Sequence, residues 1–385
     1  MKILITTDWY KPAVNGVVTS VENLAKGLVM TGHDVRILTL AENVHSRKEG
    51  NIYYVGSVSA GMIYEKARLK LKMPANIMKD ILAWKPDIVH SQCEFSTFHV
   101  AREIAYKCEI PLIHTYHTVY EDYTHYFCFS HAMGKKMAKF FSKKVLSDVN
   151  AVIVPSEKIH VMLKGYGVNK KIYNIPSGIN MEQYESNKSD ERRKLRTSLA
   201  IEPDECILIY VGRLAKEKNI EELFGFLAKS NQKQRMLIVG DGPYRTELER
   251  RAEELGIRKQ LIFTGMVSPK QISDYYAAGD IFISASNSET QGLTYMEAMA
   301  SALPILCRAD DCLNDVIENG TNGLLYHTGE EFMQHLEQLK NDFPYRNQMG
   351  IMARRSVQKR YSIQAFTQSC LKVYYTAVQQ AGGCV

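Results

Sequence analysis

The chain has 385 residues, about the length of two or three domains. Apolar residues make up 45% and charged residues 23%, which is ordinary for a globular protein and excludes the disordered, collagen-like and disulfide-rich classes. The 48 Lys and Arg residues exceed the 42 Asp and Glu residues by six, a mildly basic balance that is compatible with a nucleic-acid, membrane or phosphate partner.

The first residues and the cysteines indicate the compartment. The first nine residues have the pattern of a β-strand followed by polar residues and lack the long apolar stretch of a secretory signal. A run of about 18 apolar residues, which a membrane-spanning helix needs, does not occur in the sequence. The eight cysteines are widely spread without a C-x-x-C pair, which is typical of reduced core thiols. We therefore expect a cytoplasmic protein.

In the first half of the chain, short β-branched runs alternate with longer segments of helical periodicity. A polar loop at 8–16 separates the first strand from an amphipathic helix with apolar residues at helical spacing. The predicted strands lie at 3–7, 35–40, 88–90, 112–115 and 151–155. This alternation is typical of βαβ units around a parallel sheet.

The alternation breaks near residues 175–178, and a strongly charged helix is predicted at 190–197. It then restarts, with strands at 206–211, 237–240, 261–264, 281–284 and 305–307, and the last stretch, 344–380, is predicted to be helical. We therefore expect an α/β chain of two Rossmann-like domains, residues 1–180 and 181–361, with a C-terminal helix at about 362–385 that belongs with the first domain. Because ligands bind at the carboxyl ends of such strands, the expected active site is the cleft between the two sheets.

Residues 288–297, Ser-Glu-Thr-Gln-Gly-Leu-Thr-Tyr-Met-Glu, follow a predicted strand and open a predicted helix. Gly292 lets the backbone approach a ligand, and the first N–H groups of the helix, at Leu293 and Thr294, can bind an anion. Glu289 and Glu297 lie on either side of that anion site and accept hydrogen bonds from hydroxyl groups. A sugar nucleotide has hydroxyls on both sides of its diphosphate. The alternative is an ordinary helix start with a carboxylate favoured by the helix dipole.

Residues 212–219 follow the first strand of the second half and carry two cations. Arg213 offers a planar fork to phosphate oxygens and Lys218 adds a point charge. The alternative is a solvated loop. The sequence has neither a P-loop motif nor an Asp-x-Asp pair, so the two cations would neutralise a diphosphate without a metal ion.

Gly-Arg-x₄-Lys followed by Glu-x₇-Glu resembles the family-4 retaining glycosyltransferases, which have the GT-B fold of two Rossmann-like domains. The resemblance covers nearly the whole chain. It implies that Arg213 and Lys218 hold the donor diphosphate, that Glu297 holds the ribose and that Glu289 holds the transferred sugar. The other donor contacts that it implies are Gly16, Met266, Val267, Gly292, Leu293 and Thr294.

The same family places a histidine after a strand of the first domain, facing the sugar, and His117 matches it better than His114. Residues near the acceptor would be His90, Glu94, Tyr120 and Tyr123. A zinc site is the alternative for this segment, because His114, His117, His125, Cys128 and His131 are close in sequence, but their spacing is irregular for zinc ligands. No bound metal or other cofactor is expected.

The motif His-Thr-x-Tyr-Glu-Asp-Tyr at 117–123, together with Ser-Glu-Thr-Gln-Gly-Leu-Thr at 288–294, resembles the corresponding motifs of bacterial diacylglycerol glucosyltransferases. The resemblance implies a UDP-glucose donor and a diacylglycerol acceptor. A predicted helix at 132–149 agrees with a lipid acceptor, since it combines an apolar face with lysines, as a helix at an anionic membrane interface does. Its apolar residues are Met133, Met137, Phe140, Phe141, Val145 and Val149. Residues 64–85 add six Lys and Arg. We expect a peripheral location on the inner face of the cell membrane and no nucleic-acid partner.

Other interpretations of the sequence remain open. A related enzyme could use another donor sugar, or a phosphoinositide or soluble acceptor. A two-lobed binding protein and a nucleotide-sugar epimerase are the alternatives from other classes. Under the glycosyltransferase interpretation no carboxylate is placed as a covalent nucleophile. Retention of the anomeric configuration would then require the acceptor to attack from the same face that the leaving group leaves.

Overall fold

The computed structural model describes residues 1–60, 68–123, 131–184, 188–230 and 234–382, without the side chains of residues 122, 123, 131 and 132. The described chain forms two compact units. The first runs from Met1 to Gly178 and takes up the chain again from Ile363, and the second runs from Ile179 to Ser362. Each is built around a largely parallel sheet, which confirms the predicted α/β class.

The strands of the first unit are β1 (Lys2–Thr6), β2 (Asp34–Leu40), β3 (Arg47–Glu49), β4 (Ile52–Val55), β5 (Ser57–Ser59), β6 (Arg68–Lys70), β7 (Ile88–Ser91), β8 (Leu112–Thr115), β9 (Ala151–Val154) and β10 (Lys171–Asn174). Its helices are α1 (Gly16–Met30), α2 (Ala75–Trp84), α3 (Ser96–Cys108), α4 (Tyr120–Tyr123), α5 (His131–Leu146), α6 (Glu157–Gly165) and the C-terminal helix, α14 (Ile363–Gly382).

The main sheet of this unit has the strand order β10-β9-β8-β7-β1-β2-β4-β3, and its strands are parallel except for β3 at the edge. Side chains alternate between its faces, as the period of two in a strand requires. Ile3 and Ile5 of β1 pack with α1 and α14, while Leu4 packs with the cluster on the other face. In the register of the sheet, Ser91 of β7 lies beside both Thr6 and His114, so the carboxyl ends of β1, β7 and β8 are neighbours.

The second unit comprises the strands β11 (Ile207–Val211), β12 (Arg235–Val239), β13 (Leu261–Gly265), β14 (Ile281–Ser284), β15 (Ile305–Arg308) and β16 (Gly323–Tyr326). Its helices are α7 (Ser189–Ser198), α8 (Ile220–Lys229), α9 (Arg245–Glu254), α10 (Ile272–Ala278), α11 (Leu293–Ala300), α12 (Gly329–Asn341) and α13 (Phe343–Arg360). The strand order β13-β12-β11-β14-β15-β16, with parallel pairs throughout, is the order of a Rossmann sheet.

The C-terminal stretch that the sequence predicts as one helical segment is divided in the structure. α13 ends at Arg360, and Tyr361, which is buried, packs in the core of the second unit. α14 then begins at Ile363 and packs on α1 of the first unit, with Phe366 in that core. At their crossing a Cβ on Gly27 would lie 1.9 Å from Thr367 Oγ1, so the glycine is what allows the close approach of the two helices.

Candidate active site

The loop after β11 is held by glycines at the ends of the neighbouring strands. A Cβ on Gly240 would lie 2.0 Å from the carbonyl oxygen of Gly212, and one on Gly242 would lie 2.3 Å from that of Leu214. Leu214 donates its N–H to the carbonyl of Asp241 at 3.0 Å and accepts from Tyr244 N–H at the same distance. The turn at 240–243 therefore supports the loop that carries Arg213 and Lys218.

The structure brings two of the predicted site residues into direct contact. Lys218 Nζ lies 2.6 Å from Glu289 Oε1, although the two residues are 71 positions apart in the chain. Both side chains are largely withdrawn from solvent, at 20% and 16% exposure. Ser288 Oγ donates to the carbonyl of Glu217, which ties the same two loops together. The half-buried Arg213 lies at the start of the loop that carries Lys218.

Gly292 forms the cap of α11 in a backbone conformation that favours glycine, with φ 73°. A Cβ there would also approach the Tyr295 ring to 2.6 Å. The half-buried residues Leu293 and Thr294 begin the helix, and the N–H groups of a first helical turn have no partner within the helix. The end of β14 thus leads into a helix N-terminus that suits an anion, a few residues from Glu289.

Glu297 lies one turn into α11 and is half-buried. Tyr276 donates its hydroxyl proton to Glu297 Oε2 at 2.8 Å, and Tyr184 also donates to this carboxyl group. Burial raises the pKa of Glu297 to about 7, and the two tyrosine hydrogen bonds oppose that rise. The carboxyl group therefore changes charge near neutral pH.

Two of the predicted donor contacts lie just after β13. Met266 is exposed, and Val267 is half-buried against the core of the second unit. Gly265, which precedes them with φ 71°, would place a Cβ 3.3 Å from Arg245 Nη1. The loop is thus held at the same end of the sheet as the Arg213 loop.

Sequence reasoning missed a polar cluster around Glu222. Its carboxylate accepts hydrogen bonds from Asn219 Nδ2 at 2.8 Å, Arg308 Nη2 at 2.6 Å and Tyr326 Oη at 3.0 Å. Asn219 directly follows Lys218 and has φ 52°. Glu222 thereby anchors the end of the cationic loop to β15 and β16. The signal in the sequence, Asn219 with a Glu three positions later, is too common to single out.

In the first unit, Gly16 is the first residue of α1. Asn15 caps this helix, and its Oδ1 accepts a hydrogen bond from Val18 N–H at 2.9 Å. As at α11, the helix begins directly after a strand and its loop. The structure therefore places Gly16 at a helix N-terminus.

His117 lies two residues after β8 and is half-buried. Its Nε2 lies 2.8 Å from Gln92 Oε1. Burial lowers the pKa of His117 to about 4, so the ring is neutral at physiological pH. His90, on β7, is fully buried with Nδ1 2.5 Å from Tyr374 Oη and Nε2 2.7 Å from Thr115 Oγ1. His90 is therefore enclosed by the protein, and its place near the acceptor stays a prediction.

Glu94 is a buried carboxylate beside the end of β7. Tyr120 donates its hydroxyl proton to Glu94 Oε2 at 2.6 Å, and His114 Nε2 lies 3.3 Å from Oε1. The backbone of Tyr123 lies in α4, and its side chain is outside the described part of the structure. Tyr120 belongs to an aromatic cluster. The ring of Phe95 stacks on that of Phe141, with centroids 5.6 Å apart, and meets the Tyr120 ring edge-on at 5.9 Å.

The residues of the zinc alternative divide between described and undescribed parts of the chain. His114 is buried against Glu94, whereas His125 and Cys128 and the side chain of His131 lie outside the described residues. Among the described residues, no group of three or more His, Cys, Asp or Glu side chains is arranged to hold a metal ion.

Two sequence families match this chain, one on each unit. Residues 14–183 match Glycosyltransferase Family 4, and residues 191–356 match Glycosyl transferases group 1. An alpha-monoglucosyldiacylglycerol synthase of Acholeplasma laidlawii is 32% identical over 99% of this chain and 98% of that protein. The chain belongs to the family-4, group 1 glycosyltransferases. It is a glycosyltransferase of GT-B fold, as the sequence predicts.

A second relative and two solved structures agree with this membership. The alpha-monoglucosyldiacylglycerol synthase of Streptococcus pneumoniae is 36% identical over 85% of this chain and 75% of that protein. Sucrose-phosphate synthase of Thermosynechococcus elongatus has a TM-score of 0.78 at 19% identity, covering 97% and 98% of the two chains. Anabaena HepE, solved with UDP and glucose, has a TM-score of 0.77 at 18% identity, covering 98% and 100%. At these identities the solved structures show the fold.

Proposed function

We propose that this glycosyltransferase moves glucose from UDP-glucose to the free hydroxyl of 1,2-diacylglycerol, with retention at the anomeric carbon and without a bound metal ion. The observation that carries the proposal is the 32% identity over nearly the full length of the alpha-monoglucosyldiacylglycerol synthase of A. laidlawii. The second unit would bind the donor, and the first would bind the acceptor and the membrane.

The donor would bind at the carboxyl ends of β11 and β14. Arg213, Lys218 and the N-terminal N–H groups of α11 at Leu293 and Thr294 would contact the diphosphate. The salt bridge between Lys218 and Glu289 supports the assignment of Lys218 to the diphosphate. It holds the ammonium group beside a carboxylate that would accept hydrogen bonds from the sugar hydroxyls. Glu297 would accept from the ribose. The remaining donor contacts would be Gly16, Met266, Val267 and Gly292.

In the reaction, the acceptor oxygen would form the new bond to the anomeric carbon on the face from which the diphosphate leaves. The bond between that carbon and the phosphate oxygen breaks, and the leaving diphosphate takes the hydroxyl proton. Arg213, Lys218 and the helix N-terminus would stabilise the negative charge that develops on the leaving group, which is the term that usually dominates catalysis. The neutral ring of His117 would contact the transferred sugar.

The acceptor would approach Glu94 and Tyr120 in the first unit. Glu94 is a buried carboxylate that accepts a hydrogen bond from the Tyr120 hydroxyl, and the rings of Phe95 and Phe141 stack next to Tyr120. Phe95 is half exposed. This combination of one buried polar group with aromatic surface suits a lipid that presents a single hydroxyl.

The exposed surface of α5 supports action at an anionic membrane. Met133, Met137 and Phe140 lie along one side of the helix at 49%, 56% and 69% exposure, although each is apolar. They are spaced at i, i+4 and i+7, and exposed lysines at 136, 143 and 144 flank them. A helix that only covers a core places polar residues on its solvent-facing side, so this exposed apolar row indicates a second contact surface. Among the described helices none is long and apolar enough to cross a bilayer. We propose that the protein acts on the cytoplasmic face of the cell membrane.

Flotation with lipid vesicles tests the membrane part of the proposal. The protein should float with vesicles that contain anionic lipid and much less with zwitterionic ones. Phe140→Ser should weaken this association at least several-fold without lowering the melting temperature, because the ring is exposed. Tyr106→Ser is the matched control, since Tyr106 of α3 is 86% exposed and lies outside the row. Equal flotation of F140S and Y106S would refute the role of the α5 surface.

A further inference from the structure

A buried hydrogen-bonded chain links the C-terminal helix to His117. Its first member is Tyr374 of α14, whose hydroxyl lies 2.5 Å from Nδ1 of His90 on β7. The two rings meet edge-on with centroids 5.5 Å apart. Nε2 of His90 lies 2.7 Å from Thr115 Oγ1, so each ring nitrogen has a hydroxyl group within hydrogen-bond distance. The His90 ring is thereby fixed between α14 and the end of β8.

Gln92 continues the chain from His90 to His117. Its Nε2 lies 3.1 Å and 3.2 Å from the two ring nitrogens of His90, and its Oε1 lies 2.8 Å from His117 Nε2. Because an amide N–H only donates, Gln92 Nε2 can bond only to the unprotonated nitrogen of His90, and Oε1 is the atom that faces His117. A carbonyl oxygen only accepts hydrogen bonds, so Nε2 of His117 carries the proton. Nδ1 of His117 is then left as an acceptor.

The residues of this hydrogen-bonded chain are polar but lie in the protein interior. Tyr374 and His90 have no exposed surface, and Gln92 has 2%. Polar groups at such positions cost free energy unless each is satisfied, whereas an apolar core of the same shape carries no such cost. Burial lowers the pKa of both His90 and His117, so each is a neutral ring with one N–H, and its tautomer decides what it can bind.

We propose that Tyr374, His90 and Gln92 are positioning residues that hold His117 in its Nε2–H tautomer, with Nδ1 presented as a hydrogen-bond acceptor for a hydroxyl of the transferred sugar. This inference rests on the role of His117 in the proposed function. It gives the C-terminal helix a part in the chemistry of the first unit besides its packing on α1. It also assigns His90, a conspicuous residue at the end of a strand, an indirect role.

The test compares Tyr374→Phe with Tyr375→Phe in the full-length protein. Both remove one phenolic hydroxyl from adjacent positions of α14, but Tyr375 is exposed and has no part in the chain. ¹⁵N NMR of labelled histidine reports which ring nitrogen carries the proton. We expect Y374F to shift His117 from one tautomer to a mixture and to lower kcat roughly tenfold with little change in the KM for UDP-glucose. Y375F should match the wild type in both.

Gln92 provides a second test if Y374F does not fold. Gln92→Leu removes the accepting oxygen opposite His117 Nε2 and should lose the tautomer. An unchanged His117 spectrum in both Y374F and Q92L refutes the positioning chain. The role of His117 in transfer is tested separately by His117→Ala. If H117A leaves transfer intact while Y374F alters the tautomer, the chain stands and the assigned role of His117 fails.

Discussion

The ionisation of Glu297 gives a quantitative prediction for donor binding. Burial raises its pKa to about 7, and the ionised form is the stronger acceptor for the ribose hydroxyls of the proposed donor. With that pKa, about 9% of the carboxyl groups are ionised at pH 6 and about 91% at pH 8. UDP-glucose should therefore bind more weakly at pH 6 than at pH 8, by up to about tenfold or about 1.4 kcal/mol.

Isothermal titration calorimetry with UDP-glucose, in the absence of acceptor, measures this dependence directly. The diphosphate of UDP-glucose has no ionisation between pH 6 and 8, so the protein supplies the change. Glu297→Gln should bind the donor more weakly at pH 8, and its affinity should not vary with pH. Glu253→Gln, at an exposed glutamate of α9, is the control and should keep the wild-type slope. An affinity that is constant from pH 6 to 8 in the wild type would refute the reasoning.

The same group gives a stability prediction of defined sign. The pKa of Glu297 is raised on folding, so the ionised carboxyl group disfavours the folded state, and this cost grows as the pH rises from about 4.5 towards 7. The full cost above pH 7 is at most about 3 kcal/mol. E297Q should therefore raise the melting temperature at pH 8 and have little effect at pH 4.5. A larger gain at the lower pH would contradict the assigned direction of the shift.

Three further variants test the site and the packing with matched controls. Lys218→Ala should cut turnover at least a hundredfold with the fold intact, whereas Lys216→Ala, an exposed lysine of the same short turn, should be near wild type in a transfer assay. Gly292→Ala should lower the melting temperature more than Gly320→Ala, because both have a positive φ but only Gly292 meets a ring. Gly27→Ala should lower the free energy of unfolding, measured by chemical denaturation, because the new Cβ pushes α14 from α1. Gly225→Ala is the control and should not lower it, since a Cβ there meets nothing within 4 Å.

Hydrophobic periodicity predicted the fold class well because strands buried on both faces have distinct β-branched runs. The strands at 112–115 and 281–284 were predicted to the residue. It missed β3, with the sequence Arg-Lys-Glu, because an exposed edge strand needs no apolar side chains. It also missed β16. Such features depend on which core the segment meets, and that is a tertiary property.

The site was predictable in its composition and not in its connections. Lys218 and Glu289 were both named from local motifs, but their salt bridge joins residues far apart in the chain and depends on the pairing of β11 with β14. The contact between His90 and Tyr374 spans 284 positions. On α5 the sequence predicted one broad apolar face. The structure divides it into an exposed row at Met133 and a buried row that includes Val145, since only the neighbouring elements decide which apolar side is covered.

Product analysis tests the central claim most directly. The protein would be incubated with ¹³C-labelled UDP-glucose and diacylglycerol in mixed micelles that contain anionic lipid. Mass spectrometry then identifies the product, and NMR assigns its anomeric configuration. We expect a diacylglycerol that carries one or more labelled glucose residues, the first of them in α-linkage, as in the donor. A β-linked product, or transfer from another nucleotide sugar in preference to UDP-glucose, or no glycolipid at all, would contradict it.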